Sequence, residues 1–213
     1  KPEGMTDDVW NQNKKAPTIL FNYTAGFAAL QAKDYANAVK YFKTALTDDP
    51  TNAVTYFRLG VAYLQMDPSQ ALDGFWAVAR SVALKGPGEA QVRQYLRGQL
   101  FRYQQTVCEK LLDDEMNEMI ALAANSPERP ASFTLPKKED LEKAREDTAN
   151  FLPYLKEGGE KGKLMWLATC GLEYQDVPVK VLDVTSGNDA VTLKVFRAAT
   201  EQEMEAATEP NMT

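Results

Sequence analysis

A pattern of small, aromatic and proline positions begins near residue 26 and starts again 34 residues later. In the first copy these positions follow one another at steps of 12, 4, 3 and 5 residues and are Gly26, Ala38, Phe42, Ala45 and Pro50. In the second copy Gly60 takes the place of Gly26. A period of this length indicates a helix pair that cannot bury its apolar face alone and therefore stacks on its neighbours. The sequence predicts a mainly helical stack.

The second copy departs slightly from the first. It keeps the steps of 4 and 3 residues at Ala71, Phe75 and Val78, but it is one residue shorter, with residues 67–69 in the turn between its helices. Such a deletion is tolerated because turns vary more than the elements they connect. A third opening helix is predicted around Gly98. We therefore expect two repeats and a divergent third, which form one cooperative body up to about residue 125.

The spacing of Gly26, Ala38 and Phe42, repeated from Leu59 and Gly60, resembles the tetratricopeptide repeat. The resemblance implies a short stack of antiparallel helix pairs with capping helices. It also implies a non-enzymatic scaffold or adaptor that binds a protein or peptide partner. In layout the chain is similar to uncharacterised exported bacterial proteins of this family. A periplasmic or exported location is therefore expected, with a cytoplasmic one as the alternative.

The resemblance implies that the opening helix of each repeat lines a concave groove. Positions three before, one after and four after the glycine share one helix face. These positions are Tyr23, Phe27 and Leu30 in the first repeat, and Phe57, Val61 and Leu64 in the second. The family's chaperone-binding members place asparagines and lysines here to clamp a terminal carboxylate, so that activity is not predicted for this apolar set. Two hypotheses stay open. Either a partner binds this surface, or the residues are core, covered by the N-terminal arm with Val9 and Trp10 or by a later segment.

The chain divides into an N-terminal arm (1–18), a repeat-like helical domain (19–125), a proline-rich connector (126–137) and a small α+β segment (138–213). In the last segment a charged helix is predicted at about 138–157, kinked or shortened by Pro153. From Lys163 the helical periodicity gives way to an apolar run at 164–169. Two alternating strands, 179–184 and 191–196, then form a predicted hairpin. The acidic end of the chain is expected to fray.

The residue types argue against most catalytic and metal sites. The chain has no histidine, which excludes Ser-His-Asp and Cys-His nucleophile systems, and it carries no glycine-rich phosphate-binding motif. We therefore predict no enzyme activity, cofactor or metal. A net charge of −6 argues against nucleic acid as a partner. No apolar run approaches the roughly 20 residues of a membrane span.

Two other functions compete with partner binding. One is an enzyme or ligand-binding protein whose site lies around Trp166, Cys170 and Tyr174, although these residues lack the arrangement of a catalytic set. The other is a structural subunit that self-associates through the groove into a homo-oligomer. Nothing in the sequence names a partner.

Cys108 and Cys170 are 62 residues apart and lack metal-ligand spacing. Three interpretations compete: two unrelated buried thiols, one disulfide between the helical part and the β part, or a reactive thiol. Lys1 is not a natural initiator and no signal peptide is visible, so a processed or trimmed product is expected. The missing signal peptide does not establish a cytoplasmic address.

Overall fold

The computed structural model describes residues 1–66, 69–106, 108–172, 179–187, 190–198 and 200–212. The chain is mainly helical and carries a two-stranded antiparallel hairpin near its C-terminus, which confirms the predicted fold class. It divides into two compact units, Lys1–Lys138 and Glu139–Thr213. Within the described ranges, no helix is both long and apolar enough to cross a bilayer.

The first unit is a succession of helices that pack on their neighbours. They are α1 (Asp7–Gln31), α2 (Tyr35–Asp48), α3 (Ala53–Gln65), α4 (Ala71–Ala83), α5 (Glu89–Gln104) and α6 (Glu109–Asn125). Helix α2 packs between α1 and α3, and α4 contacts α3, α5 and α6. Residues 7–18 of the predicted arm form the first half of α1, although Pro17 lies inside that helix. Residues 67 and 68 of the predicted turn lie outside the described residues.

Polar side chains fix where the first three helices begin. Thr6 accepts a hydrogen bond from the backbone N–H of Val9 at 3.4 Å, and Asn52 accepts one from that of Thr55 at 3.0 Å. At the start of α2, Asp34 accepts one from the backbone N–H of Asn37 at 3.2 Å. Each bond satisfies a donor that the first helical turn would leave unpaired.

The small residues of the repeat lie where helices approach most closely. A Cβ atom built on Gly26 would lie 2.7 Å from the Phe42 ring, and one built on Gly60 would lie 2.5 Å from Cγ2 of Val78. Ala38 and Phe42 are fully buried. Gly98 differs, because a Cβ atom there would meet nothing within 4 Å. The divergent third opening helix therefore does not use its glycine for helix contact.

Two apolar clusters form the core of this unit. The Phe42 cluster, between α1 and α4, contains Ala38, Phe42, Leu46, Tyr56, Leu59, Ala62 and Ala77. The Phe75 cluster contains the buried face of α4 together with Leu96 and Leu100 of α5 and Leu112, Met116 and Met119 of α6. Helix α6 thus covers an apolar face that the second repeat and α5 leave open.

The second unit contains short helices followed by the hairpin. The helices are α7 (Lys138–Glu146), a 3-10 turn (Thr148–Asn150), α8 (Phe151–Glu157), α9 (Gly159–Thr169) and, after the hairpin, α10 (Glu201–Ala206). The prediction that helical periodicity ends at Lys163 is wrong, because α9 continues to Thr169. A short apolar run fits a buried helix as well as a strand. Here Met165, Leu167 and Ala168 are buried along the helix.

The hairpin has one apolar and one polar face. Strand β1 (Lys180–Ser186) pairs with β2 (Val191–Phe196), and an irregularity between Val181 and Asp183 shifts the register. Directly paired residues point to the same side of a sheet. With the shift included, the pairing places five apolar residues on one face: Val181, Val184, Val191, Leu193 and Val195. The opposite face carries a salt bridge of 3.1 Å between Asp183 and Lys194. Residues 188 and 189 of the predicted turn lie outside the described residues. At the C-terminal end, which was predicted to fray, Met212 forms an isolated bridge with Val195.

Candidate partner-binding surface

The six predicted groove residues differ in exposure. Phe27 on α1 is 38% exposed, whereas Tyr23, Leu30, Phe57, Val61 and Leu64 are half-buried. An aromatic side chain that remains partly in water is available to a partner without unfolding of its helix. Phe27 is therefore the candidate anchor of this set.

Four of the other groove residues have contacts that also serve the core. Phe57 and Leu64 pack against the Phe75 cluster, and the Phe57 ring meets the Tyr95 ring of α5 edge to face at 5.3 Å. Tyr23 and Leu30 pack against the Phe42 cluster. The later helix α5 thus supplies part of the cover that one of the two hypotheses expects.

Arg58 on α3 is the residue that sequence reasoning missed. Its guanidinium carbon lies 4.0 Å from the ring centroid of Phe27 and 4.8 Å from that of Tyr23. These distances are typical of cation–π contacts. The position corresponds to Thr24 in the first repeat, 34 residues earlier, so no repeated residue type indicated it. The one available signal was a lone arginine next to Phe57 on a helix of otherwise apolar lining positions.

The charge of Arg58 has no acidic partner in the part of the chain that the structure describes. Two other arginines of the same unit pair with carboxylates. Arg97 contacts Asp113 at 2.6 Å and Glu109 at 3.2 Å, and Arg129 contacts Asp73 at 2.8 Å. Arg58 is thus a half-buried cation that rests on aromatic rings and retains unused N–H donors.

Leu20 extends this surface along α1. It is 66% exposed and stands seven residues before Phe27 and three before Tyr23, spacings that place all three on one helix face. Leu20, Tyr23, Phe27 and Arg58 are called the candidate surface below. It combines an exposed aliphatic chain, two aromatic rings and a cation.

The alternative site near the C-terminus is not assembled in the described residues. Trp166 is 51% exposed on α9, and Cys170 follows that helix, with its backbone N–H bonded to the carbonyl oxygen of Trp166. Tyr174 lies outside the described residues. Among the residues that the structure describes, no group of three or more carboxylate or thiol side chains is placed to hold a metal ion.

Neither Cys108 nor Cys170 is a free thiol in the structure. Cys108 is 2% exposed and immediately precedes α6. A reactive, solvent-accessible thiol at Cys108 does not fit this burial. The pairing of Cys108 with Cys170 stays a prediction.

Comparison with known proteins identifies one segment. A family model described as tetratricopeptide repeat matches residues 29–68, less than a fifth of the chain. No curated protein and no solved structure matches the chain. The matched segment runs from the end of α1 through α2 and α3 and includes Arg58. Repeats of this family generally mediate protein–protein interactions, so this segment of the chain is similar to a class of protein-binding modules.

Proposed function

We propose that the chain is a non-enzymatic protein-interaction module and that its candidate surface binds a segment of a partner protein. The observation that carries the proposal is the exposed ring of Phe27, held by Arg58 and continued by Leu20. Aromatic and arginine side chains dominate the affinity of many protein interfaces. An extended or helical segment of a partner could bury Leu20 and Phe27 together.

The surroundings of Phe27 support a binding role over a core role. Phe42 on α2 is fully buried in the repeat core, whereas Phe27 keeps more than a third of its surface in water. The two phenylalanines therefore form a matched pair. Substitution of Phe27 tests the surface, and substitution of Phe42 tests the core.

The test compares Phe27→Ala with Phe42→Ala. Phe42→Ala should lower the free energy of unfolding by about 3–5 kcal/mol, because it opens a cavity in the core. Phe27→Ala should cost much less stability and weaken partner binding by more than about 1 kcal/mol. Urea unfolding measures the first effect. A native pull-down with wild-type and Phe27→Ala protein, read by mass spectrometry, measures the second.

Two results would contradict the proposal. A stability loss in Phe27→Ala as large as that in Phe42→Ala would place Phe27 in the core. If wild type and Phe27→Ala capture the same proteins in equal amounts, the candidate surface does not bind the partner.

A second candidate function is self-association, which the apolar face of the hairpin favours. Val181, Val184, Val191 and Leu193 are exposed on one side of this two-stranded sheet, and a sheet of this size is marginal without cover. A second copy of the same face would be complementary to it. Sedimentation velocity should then show a dimer that Val184→Lys converts to monomer. A concentration-independent monomer would exclude this function.

A further inference from the structure

We propose that Arg58 selects an acidic side chain in the bound segment, so that the segment presents an apolar anchor to Leu20 and Phe27 and an Asp or Glu beside it. This inference rests on the proposed function, because it concerns the occupant of the same surface. The occupant is a stretch of a partner protein with at least one carboxylate. Arg58 supports this inference through its contacts with two rings and its unused donors, and the net charge of the chain bears on the choice of occupant.

Arg58 lies against two aromatic rings. The guanidinium carbon lies 4.0 Å from the ring centroid of Phe27 and 4.8 Å from that of Tyr23, so both rings are within cation–π distance of the group. Its five N–H donors lie in the plane of the guanidinium, and none of them forms a hydrogen bond with the described residues. A planar group held in this way can offer two parallel N–H donors to one carboxylate. The rings restrict the motion of the side chain, so less conformational entropy is lost when a ligand binds.

Arg58 differs from Arg97 and Arg129 in its partners. In the described ranges it makes no hydrogen bond and no ion pair, whereas Arg97 and Arg129 each contact a carboxylate. Partial burial beside apolar side chains removes water from a cation, and an anionic partner offsets this loss of solvation. A carboxylate from a bound segment would complete at Arg58 the kind of pair that Arg97 and Arg129 already form within the chain.

The net charge of the chain bears on which ligand Arg58 attracts. The chain carries 30 acidic and 24 basic residues, so its overall field does not attract acidic segments. A local cation inside an apolar surface therefore favours one carboxylate at a defined distance from an apolar anchor. It does not favour a polyanion such as nucleic acid, which requires many cations along a surface.

The experiment uses the full chain and a phage library of random peptides. Peptides are selected on wild-type protein after depletion on Phe27→Ala protein. The strongest binder is then synthesised with blocked ends, so that every carboxylate belongs to a side chain. A second peptide replaces its acidic residue by the matching amide. Both are measured by fluorescence anisotropy against wild type, Arg58→Gln and Arg58→Lys, and thermal melts verify that each variant is folded.

We expect the selected peptides to be enriched in Asp or Glu at a fixed spacing from an apolar residue. Replacing that acid by its amide should weaken binding to wild type about tenfold or more. The same replacement should change little against Arg58→Gln, and Arg58→Lys should keep part of the difference because it keeps the charge. The acid-to-amide comparison on wild type needs no variant, so it stands even if Arg58→Gln unfolds.

Two outcomes separate this inference from the proposed function. If peptides that depend on Phe27 show no acid enrichment, or bind equally well with the amide, the role of Arg58 is overturned and the candidate surface stands. If no peptide depends on Phe27, both proposals fail. Binding that depends on the acid to the same extent in Arg58→Gln assigns the carboxylate to another cation and also overturns the inference.

Discussion

At the scale of single residues, the helix crossing of the second repeat leaves no room for a side chain at Gly60. A Cβ atom there would lie 2.5 Å from Cγ2 of Val78 and 2.8 Å from the carbonyl oxygen of Gly74. The oxygen belongs to the backbone of α4, which cannot rotate away as a side chain can. A Cβ atom built on Gly98 of α5 would instead meet nothing within 4 Å.

We expect Gly60→Ala to lower the free energy of unfolding by roughly 1–3 kcal/mol, because α3 and α4 must move apart. Gly98→Ala is the matched control and should stabilise the protein by about 0.4–1 kcal/mol, since alanine restricts the unfolded chain and fits a helix. Urea unfolding of both variants measures these changes. Equal changes in the free energy of unfolding in the two variants would show that the packing of α3 on α4 does not require glycine at position 60.

Asp49, after α2, has a pKa below its usual value of 3.8, chiefly because the side-chain amide of Asn52 donates to its carboxylate at 3.0 Å. The Thr51 hydroxyl adds a weaker contribution to the lower pKa. A lowered pKa in the folded state stabilises the fold above pH 3.8, and this stabilisation is lost as the pH falls through the folded pKa.

We expect NMR titration of the Asp49 carboxyl carbon to give a midpoint below 3.8 in wild type. Asn52→Ala should raise the midpoint towards the usual value, and Thr51→Ala should raise it by a smaller amount. Asn52→Ala also removes the N-cap of α3, which should cost about 1 kcal/mol at neutral pH. An unchanged midpoint in Asn52→Ala would contradict this origin of the shift.

At the scale of elements, side chains of α4 hold the C-terminal end of α6. Arg80 donates to the carbonyl oxygens of Ala123 at 2.9 Å and Ala124 at 2.6 Å, and the indole N–H of Trp76 donates to that of Ser126 at 3.2 Å. These carbonyls belong to the last turn of the helix and to the residue after it, where no intrahelical donor follows. A cation there also complements the helix dipole.

We expect Arg80→Met to lower the free energy of unfolding by roughly 1.5–3 kcal/mol, because charged hydrogen bonds to two carbonyls are lost. Arg102→Met on α5 is the control, since Arg102 is exposed, and it should change stability by less than about 0.5 kcal/mol. Hydrogen exchange should locate the loss of protection in the last turn of α6. Uniform loss across the unit, or none, would contradict a local role.

At the scale of the whole molecule, we predict that the two cysteines pair. A disulfide that closes a loop of about 60 residues would contribute ~4 kcal/mol in the chain-entropy model. Protein made in an oxidising compartment should therefore show no alkylation of Cys108 or Cys170 until it is reduced, and its melting temperature should fall on reduction. Intact mass spectrometry measures the alkylation. Two thiols that alkylate without reductant would exclude the pair.

The sequence by itself determined the repeat and most element types. The steps between Gly26, Ala38 and Phe42 depend only on helix geometry, so the helix stack could be predicted before any contact was known. The alternating segments near residues 180 and 191 predicted the hairpin for the same reason, since their period of two belongs to a strand. The face that carries Tyr23 and Phe27 also follows from periodicity.

Only the tertiary structure decided which of these residues remain in water and which cation joins them. Helix α1 continues through Pro17, a residue that locally favours a helix start at that point. The apolar run at 164–169 is helical, and Met165, Leu167 and Ala168 are buried along that helix. Arg58 meets Phe27 from 31 residues away in sequence. No local period specifies such a contact, because it depends on how two separate helices are packed.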